Sequence, residues 1–295
     1  MRKGMFTVAA CYLAWGVLTI YWKLLGAVNS YYILASRIVW SFVFCLLILG
    51  ATGKLKDVKK VVCDKNHKPL LLTMLAGVVV CINWGSYIIA VHTGHIVQSS
   101  LGYYINPLLV IILSTICFHE KLHKLEWFSI TLAATGVAIM VIVCGEIPYL
   151  ALIIGGSFAV YGAIKKIANV DAEVSLAIET ATVLPFALLF VVISEMQGTG
   201  AIGYLHGWQF ILLPLAGIIT SVPLLLFGYG VRKIPYSMVG ILQYVNPTMQ
   251  LLIGVLLYGE SFTRAHGITF VFIWLAVIFF MKSKLSPNKV TVQAE

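Results

Sequence analysis

The chain has 295 residues, of which 60% are hydrophobic and only 11% are charged, and its mean hydropathy is +0.97. A soluble globule of this length needs more polar surface than this composition supplies, so the sequence predicts a multi-spanning membrane protein. The net charge is +9, but the sequence contains no soluble domain that could present these charges as one basic face. The composition therefore excludes a nucleic-acid-binding role.

Ten continuous apolar stretches follow one another along the chain, and several approach the roughly 20 residues that cross about 30 Å of hydrocarbon as a helix. They cover residues 5–25, 31–50, 69–91, 96–118, 126–143, 149–165, 173–194, 209–231, 236–258 and 264–281. Strands are disfavoured because the stretches do not alternate and because backbone inside a membrane must satisfy its own hydrogen bonds. The predicted fold is an all-α integral membrane protein with ten transmembrane helices.

The basic residues predict the orientation of these helices. With the N-terminus in the cytoplasm, 17 of the 20 Lys and Arg residues fall on the cytoplasmic side, including Lys165 and Lys166. Only Arg264 falls outside, whereas Lys23 and Arg37 lie within spans. The positive-inside rule therefore places both termini in the cytoplasm.

The second half of the sequence repeats features of the first. Asn106-Pro107 in the fourth span recurs as Asn246-Pro247 in the ninth, and each pair follows a tyrosine by two positions. Each half holds five spans, and this odd number inserts the second half upside down relative to the first. We predict a first five-helix repeat at 1–147, an inverted second repeat at 148–285, and a polar cytoplasmic tail at 286–295.

Charged residues inside the predicted spans are candidates for a substrate pathway. A charge near the bilayer centre costs about 2.5–3.5 kcal/mol, so such residues usually face a bundle interior or a wet cavity. The shift along the chain that superposes Lys23 on Lys165 also superposes Arg37 on Glu179. Lys23 and Arg37 could attract an anion, or Arg37 and Glu179 could be charged walls of the pathway. In the structural alternative, Lys23 snorkels outward and Arg37 pairs with a backbone carbonyl.

Polar residues near the centres of the third, fourth and ninth spans form a second group of candidates. They are Asn83, Tyr103, Asn106, Gln243 and Asn246. Pro107 and Pro247 are predicted hinges, because proline should kink the fourth and ninth helices at equivalent points and free carbonyls there. The amide side chains could bind a polar solute, or they could merely join helices, at about 0.6 kcal/mol each.

Aromatic and acidic residues complete the candidates. Trp15, Trp40 and Trp84 could be flat apolar walls of the pathway, although aromatic residues in spans also simply pack. Glu120 and Glu260 follow the fourth and ninth spans at the same distance from Asn-Pro. We expect them to accept backbone amides at the start of the following helix.

Several runs of sequence carry a family resemblance. They are residues 12–16 (YLAWG), 21–23 (YWK), 35–41 (ASRIVWS) and 101–108 (LGYYINPL). In combination they resemble the RarD-type branch of the EamA transporters, in the drug/metabolite transporter superfamily, over nearly the whole chain. The resemblance implies two inverted EamA repeats, residence in the bacterial inner membrane and secondary export of small metabolites or drugs. It assigns no ligand residue.

The combined prediction is a secondary transporter, not an enzyme, that moves small polar or amphipathic molecules by alternating access. The third, fourth, eighth and ninth helices, with the inner ends of the first, second, sixth and seventh, should line the path. The predicted partners are a small-molecule substrate and membrane lipid, without a cofactor, a metal or nucleic acid. Glu179 is the candidate carrier if a proton is coupled.

Three other functional classes stay open at this point, and one of them is a non-transporting membrane subunit, which would predict loss of function without any solute movement. An intramembrane enzyme acting on lipid-linked substrates would need a catalytic His or Asp cluster at one interface. A passive channel would show flux that does not saturate. The sequence does not identify the substrate, the direction of transport, the coupling ion or the oligomeric state.

Overall fold

The structure, a computed structural model, describes residues 2–26, 28–93, 96–145, 149–259 and 263–285. Within these ranges every regular element is helical. The α-helices are α1 (Arg2–Leu24), α2 (Ser30–Ala51), α3 (Leu55–Val62), α4 (Lys68–His92), α5 (Ile96–Phe118), α6 (Lys124–Cys144), α7 (Tyr149–Ala168), α8 (Ala172–Met196), α9 (Leu212–Val231), α10 (Tyr236–Gln243), α11 (Val245–Tyr258) and α12 (Arg264–Leu285). Two short 3-10 turns, Ala201–Gly203 and Gly207–Ile211, lie between α8 and α9.

Ten segments of the described chain are long and apolar enough to cross a membrane. They are α1, α2, α4 to α9, the pair α10–α11, and α12, and each overlaps one predicted span. The prediction of an all-α membrane protein with ten spans is therefore confirmed. The orientation of the termini stays a prediction.

Helix α3 is an addition to the predicted elements, because it lies in the lysine-rich segment that was expected to be a loop. Val58 and Val61 share one face of α3 and pack against the bundle, whereas Lys59 and Lys60 are exposed. The sequence signal is weak, since only two valines mark the apolar face of a single short amphipathic helix.

The helix boundaries repeat along the chain. The first residues of α2 and α8, Ser30 and Ala172, are separated by the same offset as Lys23 and Lys165. The starts of α5 and α10 are separated by the same offset as the two Asn-Pro pairs, and so are the starts of α6 and α12. The internal duplication read from the Asn-Pro pairs is thus present in the helices themselves.

Helix packing follows the same twofold pattern. Helix α7 packs against α4 and α5, and its counterpart α1 packs against α9, α10 and α11. Likewise α2 packs on α9 as α8 packs on α4. Three further contacts join a helix to its own counterpart in the other half: α2 with α8, α5 with α10, and α6 with α12. Five spans in each half would make the repeats inverted, because each crossing reverses the direction of the chain, and this inverted insertion stays a prediction. The central interface therefore lies between the repeats.

Two glycines at equivalent positions allow the repeats to approach closely. Gly77 in α4 and Gly217 in α9 are related by the offset of the Asn-Pro pairs. A Cβ on Gly77 would lie 2.6 Å from the carbonyl oxygen of Glu179 in α8, and one on Gly217 would lie 2.7 Å from the backbone nitrogen of Ser41 in α2. Small residues at such crossings let helix backbones touch, which is the main route to tight packing inside a membrane.

The ninth span is broken where the fourth is continuous. Helix α10 ends at Gln243 and α11 begins at Val245, so Tyr244 separates them two residues before Asn246-Pro247. Pro247 has no N–H for the Gln243 carbonyl, so one helical hydrogen bond is missing next to the break. Pro107 lies inside α5. A kink at Pro107 and hinge motion at both prolines stay predictions.

Glu120 links the two repeats just after the end of α5. Its carboxylate accepts hydrogen bonds from the backbone amides of Tyr236 and Ser237 at the start of α10, and from the Ser237 hydroxyl at 2.6 Å. The expectation that Glu120 caps the following helix is wrong, because α5 packs on α10 and brings that helix start closer. Glu260 lies outside the described residues.

Candidate functional site

Arg37 lies two turns into α2, with its guanidinium between tryptophans of two other helices. The guanidinium carbon is 4.1 Å from the ring centroid of Trp84 in α4 and 5.4 Å from that of Trp22 in α1. A cation–π contact is worth about 0.5–2 kcal/mol. The rings therefore stabilise the cation without neutralising its charge.

Arg37 has no acidic partner in the described part of the chain. None of the ion pairs found there includes this residue. Its Nε is buried without a hydrogen-bond partner in the same part of the structure. Among the described residues, therefore, Nε does not donate to a backbone carbonyl, as the structural alternative for Arg37 would require.

Other residues of the first repeat surround this guanidinium. Tyr103 in α5 and Cys81 in α4 are electrostatic neighbours of Arg37, and the Tyr103 ring lies 6.0 Å from the Tyr87 ring. Lys23 is in the last turn of α1, but its side chain lies outside the described part of the structure. That Arg37 and Tyr103 belong to one binding site stays a prediction.

Trp40 is placed differently from Trp84. It is 37% exposed, and its Cα–Cβ region lies where a Cβ on Gly217 of α9 would need space. The i+3 rule places Trp40 on the same face of α2 as Arg37, but it cannot reveal aromatic partners on other helices. Trp22 was missed as an Arg37 neighbour for that reason.

Glu179 occupies in α8 the position equivalent to Arg37, and its carboxylate is held by three side chains. Lys165 forms an ion pair with Oε1, the Ser175 hydroxyl donates to the same oxygen, and Tyr161 donates to Oε2 at 3.0 Å. The Lys165 and Glu179 side chains are only 3% and 2% exposed. This is a buried, hydrogen-bonded ion pair.

The position of Lys165 corrects the prediction that counted this residue among the charges on the cytoplasmic side. Lys165 lies in the last turn of α7 and turns into the bundle toward Glu179, while Lys166 donates to the backbone oxygens of Val231 and Ile234. Lysine can reach a buried partner from a helix end because its stem is long and apolar. The available signal was the equivalence of Lys165 and Glu179 to the intramembrane residues Lys23 and Arg37.

Asn83 and Asn106 both join the first repeat to α7. The Asn83 amide donates to the Ile154 carbonyl at 2.6 Å and to Ser157 Oγ at 3.0 Å, and the Asn106 amide donates to the Gly155 carbonyl at 2.6 Å. These bonds match the interpretation of the asparagines as interhelical links. Asn106 Oδ1 is buried without a partner among the described residues, so it could still accept a bond from a ligand.

Gln243 and Asn246 flank the break in the ninth span, and both are buried. Asn246 Oδ1 accepts a hydrogen bond from Gln250 at 3.3 Å. Gln243 Oε1 is buried and lacks a partner within the described ranges. Buried amide oxygens of this kind usually need a donor. Their role in substrate binding stays a prediction.

Trp15 belongs to an aromatic cluster near the Glu179 pair. Its ring centroid lies 5.7 Å from Tyr12, 5.4 Å from Phe158 and 5.9 Å from Phe227. Phe227 in turn stacks on Tyr161, the hydrogen-bond donor to Glu179. The recorded ring contacts of Trp15 are packing contacts, and none joins it to Arg37 in the described part of the chain.

Comparison with known proteins agrees with this architecture. The EamA-like transporter family matches the chain twice, over residues 2–142 and 147–282. The chain belongs to the EamA-like transporter family. The EamA resemblance is thereby confirmed, the RarD relatives described next confirm its RarD-type branch, and the chain is a multi-pass membrane protein of a transporter family.

Curated relatives span almost the full length of the chain. The uncharacterized transporter YojE of Bacillus subtilis (strain 168) is 39% identical over 286 residues, which are 96% of this chain and 95% of the relative. Protein RarD of Salmonella typhi is 34% identical over 288 residues, 98% of this chain and 97% of the relative. A solved crystal structure superposes with a TM-score of 0.72 at 15% identity, covering 95% of this chain and 96% of that chain. That likeness shows the fold alone.

Proposed function

We propose that the protein is a secondary transporter that exports small polar or amphipathic metabolites across the bacterial inner membrane by alternating access. It catalyses no reaction of its own. The observation that carries this proposal is the equivalent packing of the two halves, in which α7 contacts α4 and α5 as α1 contacts α9, α10 and α11. Two equivalent interfaces can alternate between open and closed states when the repeats exchange conformations.

The substrate would bind where the repeats meet. Arg37 and Tyr103 supply polar contacts beside the rings of Trp22 and Trp84. The side-chain oxygens of Asn106 and Gln243, which have no partner within the described ranges, would supply acceptors in α5 and α10. The interrupted ninth span, with Pro247, and the proline-containing α5, with Pro107, are the proposed hinges.

Glu179 is the proposed carrier if a proton is coupled to transport. Protonation would remove the anion that Lys165 needs and would loosen the contact between α7 and α8. In vesicles with an imposed pH gradient, proton coupling predicts faster substrate accumulation than without the gradient. Equal rates with and without the gradient would exclude a coupling proton and leave transport itself intact.

Counterflow in proteoliposomes tests the transport proposal. Purified protein is first screened by thermal shift against amino acids, amines, cofactors and antibiotics, and each stabilising compound is then tested as a labelled substrate. A transporter shows saturable uptake that unlabelled substrate on the opposite side accelerates. Flux that neither saturates nor responds to substrate on the opposite side would indicate a channel, and absence of any flux would contradict transport of these compounds.

A further inference from the structure

We propose that Arg37 binds the carboxylate of a small organic acid, so that the transported substrates are organic carboxylates. This inference rests on the transport function proposed above. It concerns the same site and names the chemical class that the site selects. The reasons are the internal symmetry of the chain, the surroundings of the guanidinium and its single charge.

The first reason is a comparison of equivalent positions in the two repeats. Lys165 and Glu179 in the second repeat correspond to Lys23 and Arg37 in the first, with the same offset that relates the starts of α2 and α8. In the second repeat, the cation and the carboxylate both belong to the chain and neutralise each other. In the first repeat, a second cation, Arg37, stands where the carboxylate would be.

The second reason is the bonding left open at Arg37. Trp84 and Trp22 contact the guanidinium carbon through their ring faces, which attract a cation but offer no oxygen to its N–H groups. Nε is buried and has no acceptor among the described residues. A carboxylate only accepts hydrogen bonds, and its two oxygens match the planar fork of an arginine.

The third reason is the match in charge. Glu179 shows which group lies at the equivalent position of the second repeat. It is a single carboxylate, bound by one cation and by the hydroxyls of Ser175 and Tyr161. At the equivalent place in the first repeat stands Arg37, another cation, so a carboxylate is the group of complementary charge.

The inference is tested with matched pairs of acids and amides on the purified full-length protein. The probes are acetate, benzoate and indole-3-acetate, each compared with its neutral amide at the same concentration. Thermal shift and equilibrium binding are measured for the unaltered chain, for Arg37→Gln and Arg37→Lys, and for Arg264→Gln. Arg264→Gln is the matched control, because Arg264 is exposed at the start of α12.

We expect at least one acid to stabilise the protein while its amide does not. Arg37→Gln should weaken binding of that acid by about 30-fold or more, as expected when one partner of a buried charge pair is removed. Arg37→Lys keeps the charge but loses the fork, so its affinity should be intermediate, and Arg264→Gln should bind like the unaltered protein. If Arg37→Gln does not fold, the Arg37→Lys variant and the acid–amide comparison still decide.

The inference is overturned if no acid of the series binds, if acid and amide bind equally, or if Arg37→Gln binds the acid as the unaltered protein does. That last result would leave Arg37 a structural residue held by its tryptophans. Counterflow separates this failure from failure of the proposed function. Saturable exchange of neutral or cationic solutes but not of carboxylates would refute the carboxylate site and leave the transporter intact, whereas no exchange of any solute would refute transport.

Discussion

Replacing Glu179 with glutamine removes one charge from the buried pair while nearly preserving the shape of the side chain. The Lys165 side chain would then remain 3% exposed with the Ser175 hydroxyl, the Tyr161 ring and a neutral amide as partners, and without a counterion among the described residues. Breaking a buried ion pair on one side typically costs about 3–5 kcal/mol, because the remaining charge is left uncompensated. We expect Glu179→Gln to lower the free energy of unfolding by about that amount.

Glu173 provides a matched control on the same helix. Its ion pair with Lys54, at 3.2 Å, has side chains that are 30% and 35% exposed. Water screens such a pair, so Glu173→Gln should cost about 0.2–1 kcal/mol. The difference between the two Glu→Gln variants isolates the effect of burial from the effect of the substitution itself.

A double variant tests whether the loss at Glu179 comes from the stranded lysine. Lys165→Met combined with Glu179→Gln removes both charges and keeps most of the side-chain volume. We expect it to recover at least half of the stability lost by Glu179→Gln alone, since a neutral pair needs no buried counterion. The assay is SDS-induced unfolding in mixed micelles, followed by far-UV circular dichroism. A loss for Glu179→Gln no larger than that for Glu173→Gln would refute this reasoning.

Three further predictions concern packing and capping. Gly77→Ala should cost about 1–3 kcal/mol in the same unfolding assay, because its Cβ would overlap the backbone of α8. Gly85→Ala on the same helix should be neutral or stabilising, because the space around Gly85 is open. Equal effects of the two variants would contradict the close approach of α4 and α8. Glu120→Ala should lower the free energy of unfolding by about 0.5–2 kcal/mol through the lost cap of α10, and it should speed amide exchange at the start of α10. Lys121→Ala changes an exposed neighbour and should leave both the stability and the exchange rate unchanged. Asn106→Ala should lower stability by about 0.6–1.7 kcal/mol through its lost bond to α7, and an unchanged unfolding curve would argue against that link.

Sequence reasoning was most successful for features that repeat along the chain. The ten spans were found because long apolar stretches have few alternative explanations, and Asn106-Pro107 with Asn246-Pro247 gave the offset that relates the starts of α5 and α10 and of α6 and α12. The ninth span breaks at Tyr244 whereas the equivalent fourth span is continuous, although a kink was predicted at both prolines. The two equivalent spans therefore have different backbones although each carries an Asn-Pro pair, so the proline alone does not decide where the helix breaks.

Side-chain partners were harder to predict than spans. Lys165 was assigned to the cytoplasmic loops, yet it completes the Glu179 pair, and Trp22 and Trp84 rather than Trp40 surround Arg37. Helical periodicity relates residues on one helix but gives no rotation of that helix against its neighbours. In a membrane the lipid-facing side is apolar too, so the pattern that marks the buried face of a soluble helix is faint.

Inverted insertion of the repeats is tested most directly by labelling one pair of equivalent positions. Thr93 and Lys233, which are related by the offset of the Asn-Pro pairs, are exposed just beyond α4 and α9. Single cysteines are placed there in a variant whose native cysteines have been replaced, and a membrane-impermeant maleimide is added to intact and to permeabilised cells. Inverted repeats with cytoplasmic termini predict that Thr93→Cys reacts in intact cells and Lys233→Cys only after permeabilisation. Reaction of both from the same side of the membrane would contradict the inverted architecture.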